Sequence, residues 1–205
     1  MTDTLITADH GDETDAETAR RALDEKTCGF RLCLISDAII FALLLAIFIA
    51  MARDTADGST ERTLFRLSRI VAETMLLLAS SATFGFASVA VAARQRRRAI
   101  IWLGLTFMLG LGFVATEISE LYGMASADAG PWRSGFLSAF FTLVGAYLAH
   151  LSLGLVWIAL LVGELAWRGP TPAAISRLHR LGVFWHFLVI VWIGIVALVY
   201  LPRLL

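Results

Sequence analysis

The hydrophobic residues of this chain fall into five long runs separated by short polar connections. None of the runs alternates between apolar and polar positions, as a barrel strand would. A bilayer core about 30 Å thick requires about 20 apolar residues per helix, so every run is long enough to cross it. The pattern therefore predicts an all-α integral membrane protein, a five-transmembrane-helix bundle. The approximate spans are residues 30–51, 70–93, 99–122, 134–167 and 181–201.

The composition agrees with this prediction and limits what else the chain can contain. Hydrophobic residues make up 58% and charged residues 17% of the 205 positions, against about 25% charged in soluble proteins. We predict an acidic, mobile N-terminal tail over residues 1–27, because this segment has too little apolar surface to offset the entropy of ordering. Residues 28–205 form the five-helix domain. The tail lacks the basic and apolar regions of a cleavable signal, so the first span is expected to direct insertion.

The net charge of zero hides an uneven distribution, since eight of the 17 acidic residues lie within the first 25 positions. With the N-terminus in the cytoplasm, eleven of the 17 Lys and Arg residues lie on the inner side and six on the outer side. The cluster RQRRR at 94–98 contributes most to this difference. The excess predicts a cytoplasmic N-terminus and a C-terminus on the opposite side. Nucleic acid is not expected as a partner.

Ionisable residues inside membrane spans are energetically costly, and each is a candidate for function. Asp37 in the first span and His186 in the fifth both lie toward the predicted cytoplasmic side. Together they could take up protons from the cytoplasm. The alternative is structural, with Asp37 bonded to hydroxyls such as that of Ser36 and His186 bonded to a backbone carbonyl. His150, near the middle of the long fourth span, is interpreted as an interhelical hydrogen-bonding residue.

Three further carboxylates lie toward the outer side, where the second span begins and the third ends. They are Glu73, Glu117 and Glu120. Because Arg66, Arg69 and Arg133 are placed near the same surface, we predict a partly solvated rim of ion pairs that fixes how helices two, three and four meet. A role in proton exit is the alternative.

The sequence predicts no catalytic, cofactor-binding or metal-binding residue in this chain. A bis-histidine haem needs both imidazoles at one depth. From the predicted helix ends, at about 1.5 Å per residue, His150 lies about 24 Å and His186 about 7 to 8 Å from the inner side, a gap of about 16 Å. Cys28 and Cys33 are five residues apart and point to diverging faces, so they are interpreted as packing residues.

Several motifs, in order along residues 30–201, resemble one known family. They are LISDAIIF in span one, AETMLLLASS in span two, TEISELY at the end of span three, GPWRSGFLSAFFTLVGAYLAHLSLGLVW in span four and FWHFLVIVWIGIVALVYL in span five. These segments resemble subunit III of the haem-copper terminal oxidases. The five-span layout is similar to the bacterial quinol-oxidase branch, the cytochrome bo type.

The resemblance implies a non-catalytic subunit III of a proton-pumping ubiquinol oxidase, a complex that reduces oxygen to water in aerobic respiration. Haem and copper would belong to subunit I. The expected partners are subunits I, II and IV and structural phospholipids. The chain would lie in the bacterial inner membrane, with its C-terminus in the periplasm. The subunit would stabilise subunit I, hold lipid and support proton uptake. A haem-b-binding membrane anchor and subunit III of a cytochrome c oxidase remain as alternatives. A small transporter or channel should show a polar stripe along one helix and a broken span, and the sequence shows neither.

The resemblance also bears on individual residues. Asp37 stands where the family has a membrane carboxylate associated with proton uptake, and four other residues stand at motif positions. Those four are Glu73, Glu117, His150 and His186. Tyr147 replaces a usual histidine, and Val189 replaces a usual aspartate. A proton relay through span five would therefore lack one of its expected members.

Overall fold

The structure, a computed structural model, describes residues 29–51, 67–126, 130–132 and 134–200, and the predicted tail lies outside these ranges. Within them the chain is helical. The helices are α1 (Gly29–Met51), α2 (Leu67–Ala92), α3 (Arg96–Ser126), α4 (Gly135–Arg168) and α5 (Pro172–Ile195), which continues as a short π-helix over Val196–Tyr200. All five are long and apolar enough to cross a membrane, so the prediction of five helical spans is confirmed.

Packing divides the chain into two units, Met1–Ile39 and Ile40–Leu205, which are described separately. In the first unit, the start of α1 exposes large apolar side chains, and the Ser36 hydroxyl donates to the carbonyl of Leu32 at 3.0 Å. The second unit holds the remainder of α1 and all the other helices. The interhelical contacts below all lie within this second unit.

Two side-chain caps explain where α4 and α5 begin. Ser134 Oγ accepts a hydrogen bond from the amide of Leu137, and Thr171 Oγ1 accepts one from the amide of Ala174. Pro172 occupies the first turn of α5, where a missing amide costs nothing. Gly169 ends α4 with φ of 74°, a conformation that favours glycine. A connection of only three residues therefore joins α4 and α5 as an antiparallel hairpin.

The helix that contains the fifth predicted span starts before that span. The helix begins at Pro172, not at residue 181, because the segment PAAISRLHR is helical although it is not apolar. A helix needs apolar residues only where it lies in lipid, and a capped polar turn can continue it into the aqueous layer.

The centre of the bundle is built around Trp185 of α5, which is fully buried. Its indole N–H donates to Ser80 Oγ of α2 at 3.2 Å. Its ring lies against Gly110 of α3 and Gly154 of α4, so closely that a Cβ on either glycine would be 3.1 Å from a ring carbon. Since a Cβ at either position would force the ring to shift, the two glycines favour this close packing, and Trp185 contacts three helices around α5.

A second tryptophan extends the same core toward the other end of α5. The indole N–H of Trp192 donates to Thr74 Oγ1 of α2 at 3.2 Å. Its ring meets Phe113 of α3 at 4.7 Å and Tyr147 of α4 at 5.3 Å between centroids. Two polar groups on α2, one per tryptophan, thus satisfy the indole donors that would otherwise be buried without a partner.

Candidate functional site

Three glutamates from α2 and α3 converge at one end of the bundle. Residues 93–95 join α2 to α3 in a tight turn, so the two helices are antiparallel. Glu73 lies six residues after the start of α2 and Glu120 six before the end of α3, each about 9 Å along its helix. Glu117 is one turn deeper. One carboxylate oxygen from each residue lies within 4.8 Å of the other two.

The cluster is shielded from water, since the exposed fractions are 1% for Glu73, 0% for Glu117 and 5% for Glu120. Arg69 Nη1 lies 3.6 Å from Glu120 Oε2 and is 43% exposed, which places it at the rim. Within the described residues, both oxygens of Glu73, both of Glu117 and Oε2 of Glu120 have no hydrogen bond of good geometry, although Glu73 lies close enough to Glu117 and Thr116 for weaker side-chain contacts. The cluster is therefore buried and incompletely compensated.

The prediction of a partly solvated rim is wrong in its solvation, although the glutamates do lie between helices. The reason is that the carboxylates of Glu117 and Glu120 turn toward Glu73 on the packed α2, so the contact between the two helices excludes water. Of the three predicted arginine partners, Arg69 meets the cluster; Arg66 and Arg133 lie outside the described residues. Whether these glutamates carry protons outward stays untested.

Tyr147 of α4 is a further member of this region that sequence reasoning treated only as a departure from a motif. It is fully buried, its ring meets Phe113 at 5.9 Å, and its hydroxyl has no hydrogen-bond partner among the described residues. The phenol also interacts electrostatically with Glu117. Helical side chains point toward the N-terminus of their helix, which for α4 is the end that carries the glutamates. Counting residues along antiparallel α3 and α4 would have placed Tyr147 there.

The two membrane histidines each bond to a carbonyl one turn earlier in their own helix. His150 Nδ1 lies 2.8 Å from the Ala146 carbonyl and His186 Nδ1 lies 2.7 Å from the Gly182 carbonyl, so Nδ1–H donates in both cases. His150 is half-buried, and its ring meets Phe41 of α1 at 5.0 Å. The contact between α4 and α1 is thus between rings and the hydrogen bond described here lies within α4, so the interpretation of His150 as an interhelical hydrogen-bonding residue stays a prediction.

The predicted depth gap between the two histidines is wrong. His150 lies 18 residues before the end of α4 at Arg168, and His186 lies 14 residues after the start of α5 at Pro172. Because these ends are adjacent, the difference is four residues, or about 6 Å along the helices. The rings nevertheless turn to different neighbours, since His186 meets Phe84 of α2 at 6.2 Å whereas His150 meets α1.

Asp37 and Val189 complete the set of predicted positions. Asp37 is partly buried on α1 in the first unit, and His186 lies on α5 in the second, so their joint role in proton uptake stays a prediction. Val189 is 7% exposed and packs in the apolar core of α5. Of the two cysteines, Cys33 is free and exposed, and Cys28 lies outside the described residues.

A cavity of about 630 Å³ lies beside the connection of α4 to α5. Its wall combines apolar side chains, such as Trp157 and Leu160, with the cations Arg168 and Arg177. Arg177 donates to Glu164 Oε2 at 2.7 Å, which neutralises one of the two. The cavity therefore has an apolar wall and a basic edge. It lies at the end of the bundle opposite the three glutamates.

Comparison with known proteins gives a consistent set of relatives, although no family model matches the chain. The chain is 41% identical over 173 residues to cytochrome bo(3) ubiquinol oxidase subunit 3 of Pseudomonas putida, covering 84% of each chain. It is 34% identical over 202 residues to quinol oxidase subunit 3 of Bacillus subtilis, covering 96% of this chain and 97% of the relative. It is 36% identical over 177 residues to cytochrome c oxidase subunit 3 of Alkalihalophilus pseudofirmus, covering 86% of each.

Proposed function

The chain belongs to the family of subunit 3 of the quinol and cytochrome c oxidases, and from this premise we propose that it is the non-catalytic subunit 3 of a proton-pumping ubiquinol oxidase. The observation that carries the proposal is the extent of the similarity, which covers 84% or more of this chain in each of these relatives. The oxidase would reduce oxygen to water, with haem and copper in subunit I. Subunit 3 of a cytochrome c oxidase is the second candidate, favoured by the relative of that name at 36% identity.

The proposed role is structural support of the catalytic subunit. Within the second unit, α1 buries Phe41 and Phe48 on one face, while Leu43 and Ile47 are 60% and 43% exposed on another. Large apolar side chains are exposed on the other helices as well, for example Leu160 at 68%. We expect these faces to pack against subunits I, II and IV of the complex and against the lipid of the bacterial inner membrane.

The cavity at the connection of α4 to α5 suits a structural phospholipid. Trp157 and Leu160 would contact an acyl chain, and Arg168 would attract the phosphate, since basic residues at the membrane surface bind anionic head groups. The chemistry of this cavity thus supports the second part of the proposed role, which is the retention of lipid beside the catalytic subunit.

Affinity purification of the tagged chain from detergent-solubilised membranes tests the association. We expect the other oxidase subunits, the reduced-haem spectrum of the complex and bound phospholipid to purify with it. A tagged multi-pass protein of similar size and unrelated family is the control. A chain that purifies alone and carries its own haem spectrum would contradict the proposal and favour the membrane anchor.

Asp37 is proposed to support proton uptake from the cytoplasmic side. The basic connection between α2 and α3 is inferred to face that side. Asp37→Asn keeps the size of the side chain and removes its charge, so assembly should persist. Proton uptake should slow and the enzyme should inactivate after fewer turnovers. The measurement is the number of turnovers before inactivation in vesicles, with a pH dye on the side of the α2–α3 connection. Cys33→Ser, one turn away, is the control; equal turnover numbers for wild type and Asp37→Asn would remove the role.

A further inference from the structure

Four oxygen-bearing side chains, three carboxylates and one phenol, are buried at the junction of α2, α3 and α4. We propose that Glu73, Glu117, Glu120 and Tyr147 bind one hard divalent cation of the Ca²⁺, Mg²⁺ or Mn²⁺ class. The proposal rests on this chain's own residues and goes beyond the role of an accessory subunit.

The charge of the cluster requires a counter-charge. Three carboxylates carry three negative charges when ionised, and Arg69 supplies one positive charge at 3.6 Å from Glu120. A net charge of two negative units would remain among side chains that are 0 to 5% exposed, and buried charge is strongly unfavourable unless it is compensated. One divalent cation compensates it fully. Two bound protons would also do so, and they are the competing occupant.

The spacing of the oxygens fits a single ion. Ca²⁺ binds oxygen at about 2.3 to 2.6 Å, so two ligands on opposite sides of one ion are about 5 Å apart. The three carboxylate oxygens lie within 4.8 Å of one another, inside this limit. Glu117 and Glu120 are three residues apart and so project from one face of α3, and Glu73 faces them from α2. Carboxylates that project inward from facing helices are the usual construction of metal sites in helical bundles.

The buried hydroxyl of Tyr147 is a second observation, independent of the carboxylates, that points to a ligand. This hydroxyl is buried on a third helix, has no partner among the described residues and lies in the field of Glu117. Together with the three carboxylates, this phenol oxygen would give an all-oxygen donor set. Such a set selects hard cations over zinc or copper, which prefer nitrogen and sulfur ligands. Arg69, 43% exposed, marks the rim through which an ion would enter.

The proposal is tested by titrating Mn²⁺ into the purified assembly that contains the tagged chain. Bound ions are counted from the loss of the free Mn²⁺ signal in electron paramagnetic resonance. We expect the wild-type assembly to bind one more Mn²⁺ per complex than the Glu117→Gln assembly. Ca²⁺ should compete with that ion. Glu164→Gln removes a carboxylate that pairs with Arg177 at the other end of the bundle and is the matched control. Equal Mn²⁺ counts for wild type and Glu117→Gln would overturn the proposal.

Infrared difference spectra of the wild-type assembly supply a second measurement that needs no variant. Cation binding should remove the carbonyl band of a protonated carboxyl group and produce carboxylate bands. If added Mn²⁺ leaves the carboxyl region unchanged, the cluster holds protons and the proposal fails. Neither measurement depends on oxidase activity, so a wrong assignment of function and an absent cation site give different results.

Discussion

Replacing Trp185 by alanine should destabilise the protein by about 3 to 5 kcal/mol, as other large-to-small substitutions of buried aromatic residues do. The ring lies against both Gly110 and Gly154, and it shares this space with Leu155 at the first glycine and Phe184 at the second. Its removal leaves a cavity at the meeting point of three helices and takes away the donor to Ser80 Oγ. The free energy of unfolding, measured by denaturant titration of the purified protein in detergent micelles, gives the magnitude.

Trp167→Ala is the matched control for this prediction, because Trp167 lies on α4 and is 92% exposed. The same loss of side-chain volume there should change the unfolding free energy by less than about 0.5 kcal/mol. If the two substitutions destabilise the protein equally, Trp185 does not hold the helices together in the way its contacts indicate.

Gly154→Val should destabilise the protein by about 1 to 3 kcal/mol, the usual cost of overpacking a close helix contact. A Cβ at this position would lie 3.1 Å from Trp185 Cζ3 and 3.2 Å from Phe184 Cε1. Both rings are buried and cannot move without disturbing their own contacts, so α4 and α5 must separate. The expected result is a lower midpoint of thermal unfolding in detergent and less of the assembled complex.

Gly145→Val provides the control on the same helix. A Cβ at residue 145 meets nothing within 4 Å, so this variant carries the same change in helix propensity without the clash. Its midpoint should lie within a few degrees of the wild-type value, consistent with a propensity cost of less than about 1 kcal/mol. A Gly154→Val variant as stable as Gly145→Val would show that α4 and α5 do not approach at this glycine.

The sequence by itself determined the five spans, the helical class and the family. Each of these depends on local information. A run of about 20 apolar residues must cross as a helix, because lipid offers the backbone no other hydrogen-bond partners. The family follows from motifs that are contiguous in the chain, such as AETMLLLASS and TEISELY. The Lys and Arg count is local as well, which is why an orientation could be proposed from it.

Only the tertiary structure decided what the polar residues face. Hydropathy indicates where apolar residues stop, but α5 starts earlier, at the capped Pro172, and α3 continues to Ser126. The earlier start of α5 changes the depth of His186 counted along its helix, and packing of α3 against α2 buries Glu117. The cluster of Glu73, Glu117, Glu120 and Tyr147 joins three helices, and its members are up to 74 residues apart. Their meeting depends on the register of packed helices, which no single span encodes.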